Sequence, residues 1–188
     1  MDNSNDKSMN NRQEENFMNI QIEPILIEQK SVLIQLLNLY CYDFTEYSNE
    51  DINEYGYYVD DDIKYYTENL GINPKMHPFF ILFDGKLAGF VIAGVGSYLL
   101  YLDDENAYVI ENFFIMKKYR RNGIGSFVAK AIFDMFKGKW EVCQKQNNLP
   151  ARKFWKSVIS EYTGNNYQEC GTENDEMVGF IFDNSHAK

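Results

Sequence analysis

The fold is decided by residues 107–138, which read AYVIENFFIMKKYRRNGIGSFVAKAIFDMFKG. The first part, residues 107–116, is rich in Val, Ile and Phe, a composition typical of a buried strand. From Ile124 onwards, apolar residues recur at spacings of three and four, which predicts an amphipathic helix. A short loop containing Gly123 and Gly125 joins the two. The sequence therefore predicts a strand, a glycine loop and a helix in direct succession.

This arrangement is typical of an anion-binding site. The first turn of a helix has unpaired backbone N–H groups and a partial positive charge, and a glycine lets a phosphate group approach the backbone closely. Positive charge beside the glycines comes from Lys117, Lys118, Arg120 and Arg121. The alternative interpretation is a tight turn with a purely structural role, flanked by ordinary surface charges.

Two known phosphate motifs do not fit this loop. A Walker loop requires Gly-x-x-x-x-Gly-Lys-Ser/Thr, and no stretch of the chain matches it. The dinucleotide fingerprint requires Gly-x-Gly-x-x-Gly near the start of a βαβ unit. Here Val128 occupies the position of the third glycine, and no acidic residue ends a strand about twenty residues further on.

A third motif fits. Residues 120–125, Arg-x-x-Gly-x-Gly, resemble the acetyl-CoA signature of the GCN5-related N-acetyltransferase (GNAT) superfamily. Residues 148–155, Asn-x-x-Ala-x-x-Phe-Trp, are similar to a second segment of that family, on the helix after its fifth strand. The resemblance extends from about Ile20 to Phe182 and implies an acetyltransferase.

The remaining pattern agrees with such a fold. Apolar spacing and turn residues predict the order β-α-α-β-β-β-α-β-α-β-β, with a hairpin turn at Asp84-Gly85. We expect one α/β (α+β) domain over residues 20–184, after a flexible tail over residues 1–19. By the resemblance, its centre is a mixed, mostly antiparallel sheet of about six or seven strands flanked by about four helices.

The resemblance also implies how acetyl-CoA, the expected cofactor, is bound. Backbone groups of one strand would pair with the pantetheine arm, main-chain N–H groups of the loop would hold the pyrophosphate, and one asparagine would contact the thioester end. The strand residues are Phe113, Phe114 and Ile115, the loop residues are Arg120, Arg121, Asn122, Gly123, Ile124, Gly125 and Ser126, and the asparagine is Asn148.

The catalytic side chains are less evident. Glu111 lies on the binding strand where the family often places an acidic residue that removes the amine proton through water. Trp155 stands where the family has a tyrosine that protonates the departing thiolate, and an indole is a hydrogen-bond donor only. Tyr162, Tyr119 or water could supply that proton instead. A catalytically weak GNAT-like domain that binds acyl-CoA as a sensor is the alternative function.

Composition suggests the acceptor. The net charge is −10, and 11 of the 18 Lys and Arg residues fall between Lys117 and Lys156. The segment 42–70 would form one wall of the acceptor site in such a fold, and it is acidic and aromatic; it includes Tyr42, Asp43, Tyr47, Tyr57 and Tyr58. Such a wall suits a primary amine on a small cationic molecule, with a polyamine, an aminoglycoside or a peptide amine as candidates.

Other classes of partner are disfavoured. An acidic chain with a short basic segment does not suggest a nucleic-acid partner, and no apolar run approaches the length of a membrane span. Three widely spaced cysteines and two histidines do not form a metal-binding pattern, so no metal is expected. We expect a cytoplasmic protein, and its aromatic residues would allow a homodimer.

Overall fold

The computed structural model describes residues 19–58, 61–96, 104–171 and 175–186. The predicted tail, apart from Asn19, lies outside these residues. The strands are β1 (Ile20–Pro24), β2 (Met76–Phe83), β3 (Lys86–Val95), β4 (Tyr108–Ile115), β5 (Lys139–Lys145), β6 (Gln168–Cys170) and β7 (Met177–Asp183). The helices are α1 (Lys30–Phe44), α2 (Asp61–Asn69), α3 (Ile124–Met135) and α4 (Leu149–Thr163). This is the predicted order of elements.

The strands form one seven-stranded sheet in the order β1-β2-β3-β4-β5-β7-β6. Neighbouring strands are antiparallel except for β4 and β5, which are parallel. The predicted hairpin joins β2 to β3, and both of its turn residues have positive φ, 50° at Asp84 and 69° at Gly85. This is the backbone that an Asp-Gly pair favours in a two-residue turn. The predicted mixed, mostly antiparallel α/β fold is confirmed.

The helices cover the two faces of the sheet, and the alternation of side chains along β4 separates the faces. Phe113 lies on the face of α3 and α4, whereas Phe114 lies on the face of α1 and α2. The core on the α3/α4 face includes Ile110, Val128, Ile132, Phe133, Trp140, Val142, Ile159 and Phe180. The core on the α1/α2 face includes Leu33, Leu37, Tyr66, Leu70, Phe80, Phe90 and Ile92.

The two halves of the sheet meet at a short parallel junction. In the described residues, β4 pairs with β5 at Tyr108–Trp140 and Val109–Glu141, and no further pair joins the two strands. A β-bulge in β4 shifts the register with β3 beside Glu111, and bulges bend the strand that carries them. The facing edges of residues 110–115 and 142–145 are therefore not paired with each other, and the gap between these edges is called the cleft.

An ion pair ties α1 to the loop that follows β4. The Asp43 carboxylate accepts a hydrogen bond from the Arg120 guanidinium and lies 3.0 Å from Lys117 Nζ. Arg120 Nε also donates to the carbonyl oxygen of Ile115, at 2.6 Å. Partial burial by itself raises the pKa of Asp43, but the hydrogen bonds from Arg120 and Lys117 outweigh it and hold that pKa below its ordinary value.

Asp43→Asn should therefore destabilise the fold in a pH-dependent way. Because the pKa of Asp43 is lowered by folding, its contribution is complete above the ordinary value of 3.8 and disappears as the pH falls through the lower folded value. At neutral pH we expect a loss of about 1 kcal/mol or less, since the pair is partly exposed.

Urea denaturation of the wild type and of Asp43→Asn, from about pH 7 down to about pH 3, measures this effect. The difference in free energy of unfolding should shrink over the lowest part of that range. Asp51→Asn, at an exposed carboxylate, is the control and should change little at any pH. A difference that is the same at every pH would contradict the ion-pair explanation.

Candidate active site

The cleft between β4 and β5 collects most of the residues that the sequence singled out. Because the two strands are parallel, their carboxyl ends lie at the same edge of the sheet. At this edge, β4 leads into the glycine loop and β5 leads into Asn148 at the start of α4. The two sequence motifs are thus neighbours across the mouth of the cleft.

The glycine loop has the backbone geometry of an anion site. Arg121 has a φ of 64° and Gly123 a φ of 76°, so two residues just before α3 have left-handed backbone conformations. The first backbone hydrogen bond of the helix runs from the N–H of Phe127 to the carbonyl of Gly123, at 3.0 Å. The N–H groups of residues 124–126 precede it and have no partner within the helix. They are available to phosphate oxygens.

Gly125 also has a packing role. A Cβ atom at this position would lie 3.2 Å from Cε2 of Phe154 and 3.7 Å from Cε1 of Phe113. The missing side chain therefore lets the first turn of α3 approach α4 and β4 closely. This contact supports the structural interpretation of Gly125, and the ligand-binding interpretation stays a prediction.

The two arginines of the motif have different surroundings. The Arg120 guanidinium contacts Asp43 and the carbonyl of Ile115, so it holds the loop against α1. Lys117 contacts the same carboxylate. Arg121 is exposed beside the loop, with no ion pair among the described residues. Of the two arginines, Arg121 is the one whose charge can face a bound anion.

Asn148 caps α4. Its Oδ1 atom accepts a hydrogen bond from the N–H of Ala151 at 3.1 Å, and Pro150 occupies the first turn, where its missing N–H leaves no gap. The backbone N–H of Asn148 donates to the carbonyl of Lys145, at 3.0 Å. The side-chain Nδ2 atom, which carries two donors, is the part of Asn148 that can reach a ligand.

Glu111 lies at the bulge of β4, on the face of α1 and α2. A Cβ atom at Gly94 of β3 would overlap Oε1 of Glu111, so the carboxylate occupies the space that a side chain at position 94 would fill. The residue is half-buried. Gly94 was not among the predicted site residues, although a glycine inside a strand often marks a bulge or a close approach.

Trp155 lies in the core at the side of the cleft. The residue is 5% exposed, and its indole makes an edge-to-face contact with Phe113 at 5.1 Å between ring centroids. A second edge-to-face contact joins it to Phe154, at 4.9 Å. Trp155 thus packs α4 onto the strand that borders the cleft.

Tyr162 and Tyr119, the other candidates for the proton donor, lie away from the cleft. The hydroxyl of Tyr162 donates to Asp134 at 2.9 Å and accepts from Asn184 at 3.1 Å, at the opposite end of α4. At about 1.5 Å per helical residue, Tyr162 is about 20 Å from Asn148 along the helix axis. Tyr119 packs against Phe83 of β2. The helical spacing suggested Tyr162 by its face on α4, although the same spacing implies this separation from Asn148.

A cavity of about 310 Å³ opens at the end of β5, on the side of the loop that follows α1. Lys145 contributes one positive charge, and its ammonium lies 5.5 Å over the ring of Phe44 and 3.5 Å from the carbonyl of Tyr47. Two carboxylates outnumber this charge, so the cavity is acidic. It is lined by Tyr47, Lys145, Gln146, Asn147, Asp175 and Glu176.

The sequence located this cavity only in part. Of the residues proposed for the acceptor wall, Tyr47 lines the cavity, whereas Asp43 is engaged with Arg120 and Lys117. Asp175 and Glu176 were missed, although they belong to the acidic run ENDE at residues 173–176. Nothing in the sequence indicates that Asp175 and Glu176 lie beside the end of β5, because that neighbourhood depends on the order of strands in the sheet.

These features fit acetyl-CoA, the cofactor that the resemblance implies. The N–H groups at residues 124–126 suit a pyrophosphate, and the edges of β4 and β5 that are not paired with each other offer backbone groups to an extended arm. The described part of the chain contains no helix long and apolar enough to cross a membrane.

Comparison with solved structures finds the same fold at low sequence identity. An acetyltransferase from Thermus thermophilus is 11% identical, with a TM-score of 0.62 over 87% of this chain and 96% of its own. Aminoglycoside acetyltransferase AAC(6')-Ib, solved with coenzyme A and kanamycin, is 12% identical, with a TM-score of 0.61 over 87% and 94%. A mutant of SpeG spermidine N-acetyltransferase from Vibrio cholerae is 12% identical, with a TM-score of 0.58 over 88% and 94%.

Comparison with curated protein sequences finds no match. The model of the acetyltransferase (GNAT) family matches residues 35–158, which include the binding strand, the glycine loop and most of α4. This match confirms the predicted enzyme class and, with it, acetyl-CoA as the cofactor. The chain therefore belongs to the acetyltransferase (GNAT) family.

Proposed function

We propose that this acetyltransferase transfers the acetyl group of acetyl-CoA to a primary amine of a small cationic molecule. The observation that carries the proposal is the acidic cavity at the end of β5, beside the mouth of the cleft. The carboxylates of Asp175 and Glu176 would attract an ammonium group, and the ring of Tyr47 offers an aromatic surface for cation–π contact. Polyamines, aminoglycosides and peptide amines remain the candidates.

Acetyl-CoA supplies an acetyl group activated as a thioester. For its binding we propose the residues expected from the sequence: backbone groups of β4 at residues 113–115 for the pantetheine arm and the loop at residues 121–126 for the pyrophosphate. Arg120 would act indirectly, by fixing the loop through Asp43. The Nδ2 group of Asn148 would contact the cofactor near the thioester, while Oδ1 continues to cap α4.

Glu111 is the proposed general base. Its carboxylate lies over Gly94 on the α1/α2 face of the sheet, and the acidic cavity opens beside the loop that ends α1. An amine bound in the cavity would approach the cleft from that same face. Glu111 could then accept the proton of the ammonium through an intervening water, which leaves the amine neutral and nucleophilic.

We propose that solvent provides the proton for the departing thiolate. An indole N–H is too weakly acidic for this step, so Trp155 would serve as an apolar wall that can at most donate a hydrogen bond. Tyr162 is too distant, and its hydroxyl is held by Asp134 and Asn184. The same absence of a phenol at position 155 supports the second candidate function, a weakly catalytic domain that binds acyl-CoA as a sensor.

Release of free CoA thiol from acetyl-CoA, measured with pooled polyamines, aminoglycosides and lysine peptides, tests the proposed function. We expect release above the hydrolysis background, and division of the pool identifies the class of acceptor. A protein that acetylates only neutral or acidic amines would contradict the cationic acceptor. A protein that binds acetyl-CoA and releases no thiol would favour the sensor.

Removal of the two negative charges of the cavity, those of Asp175 and Glu176, should weaken acceptor binding selectively. In the double variant Asp175→Asn/Glu176→Gln, we expect KM for a cationic amine to rise by about tenfold or more with little change in kcat. The rise in KM should diminish at high salt, because salt screens the attraction between exposed charges. The matched control is Asp84→Asn/Glu105→Gln, which removes two exposed carboxylates elsewhere. An equal rise in KM for the control would attribute the effect to net charge and not to the cavity.

Glu111→Gln should lower kcat by about 100-fold or more at neutral pH, because the amine is no longer deprotonated by a positioned base. The loss should shrink as the pH approaches the pKa of the amine itself, where neutral amine is already abundant. CoA affinity should be unchanged, which can be measured by calorimetry. A loss of rate that stays constant across the pH range would mean that Glu111 has a structural role instead.

A further inference from the structure

Gln144 of β5 is a buried amide that the description above leaves unexplained. The residue is 6% exposed. Neither Nε2 nor Oε1 of its side chain has a hydrogen-bond partner in the described structure, and both atoms are inaccessible to solvent. Burial of an unpaired amide opposes folding, so natural proteins retain such groups mainly where a ligand or an ordered water satisfies them.

The direction of the side chain follows from the alternation along β5. Trp140 and Val142 both belong to the core on the α3/α4 face, so Gln144, two residues further, points to that face as well. The parallel pairing with β4 ends at Glu141, three residues before Gln144. Gln144 therefore lies beyond the junction, on the part of β5 that is not paired with β4.

The opposite wall at this level is formed by β4. Gln144 is three residues after Glu141, and three residues after its partner Val109 is Asn112. Because the bulge adds one residue to β4, the residue level with Gln144 is Phe113. Phe113 also faces α3 and α4. Gln144 and Phe113 thus lie level with each other on the same face of the sheet, on the two strands that border the cleft.

The chemistry of the side chain limits what it can bind. A glutamine offers N–H donors and a carbonyl acceptor side by side, and a second amide satisfies both at once. The pantetheine arm of CoA contains two amides, whereas a phosphate offers acceptors only and an ammonium offers donors only. We propose that Gln144 hydrogen-bonds to an amide of the pantetheine arm, so that the arm is held by the β4 backbone on one side and by a β5 side chain on the other.

This inference rests on the proposed binding mode of the cofactor in the cleft. It also explains why a polar side chain stands at position 144. The residues before it on the same face, Trp140 and Val142, are apolar and buried in the core. The unpaired amide would be a cost in the free protein that is offset when the cofactor enters.

The test is Gln144→Met, which preserves the length of the side chain and removes its hydrogen-bonding atoms. Calorimetry would measure the affinities of CoA and of adenosine 3'-phosphate 5'-diphosphate, which has the nucleotide and pyrophosphate of CoA but no pantetheine. We expect CoA to bind about tenfold more weakly, the equivalent of about 1.4 kcal/mol, and the nucleotide to bind unchanged. The thermal midpoint of the free variant should equal or exceed that of the wild type.

The control is Gln168→Met, the same substitution at an exposed glutamine of β6, which should change neither affinity. An equal loss of affinity for both ligands would overturn the proposal, because it would indicate a general disturbance of the cleft. An unchanged affinity for CoA would also overturn it and would leave the proposed acetyltransfer intact. A wild-type chain that binds neither ligand would instead overturn the cofactor site itself.

Discussion

The short parallel junction between β4 and β5 is the constraint on which the rest of the structure depends. In the described residues the two strands share two residue pairs, and every other pair of neighbours in the sheet is antiparallel. A longer junction would close the sheet into a continuous surface with no cleft. A missing junction would separate the two halves. The bulge at Glu111 helps to keep the junction short, since it bends β4 soon after the last shared pair.

The two faces of the sheet beside this junction differ in the side chains that they carry. Phe113, Phe154 and Trp155 pack together on the α3/α4 face, where the glycine loop opens α3. Glu111 lies on the opposite face, over Gly94. A cleft that passes between the strands connects these surroundings, one apolar with free N–H groups and the other acidic. If the acceptor is the proposed cationic amine, it and the anionic cofactor can meet without sharing a binding surface.

Local signals account for what the sequence predicted correctly. The turn at Asp84-Gly85 follows from backbone preferences of neighbouring residues, and the loop at Gly123 follows from a strand, a glycine and a helix in succession. Features that depend on distant pairing were missed. The contact between Asp43 and Arg120 joins residues 77 positions apart, and the cavity at the end of β5 brings Tyr47 together with Asp175 and Glu176.

The charge of the chain explains why recognition of the cofactor must be local. With a net charge of −10, the long-range field favours cationic molecules and opposes an anion such as acetyl-CoA. Asp43 offsets one of the two positive charges of Lys117 and Arg120, so only a few charges beside the loop oppose this field. Backbone N–H groups at a helix start act over a few ångströms and are insensitive to net charge. The cofactor must then be held by short-range contacts along the cleft, while the net negative charge would concentrate the proposed cationic amine.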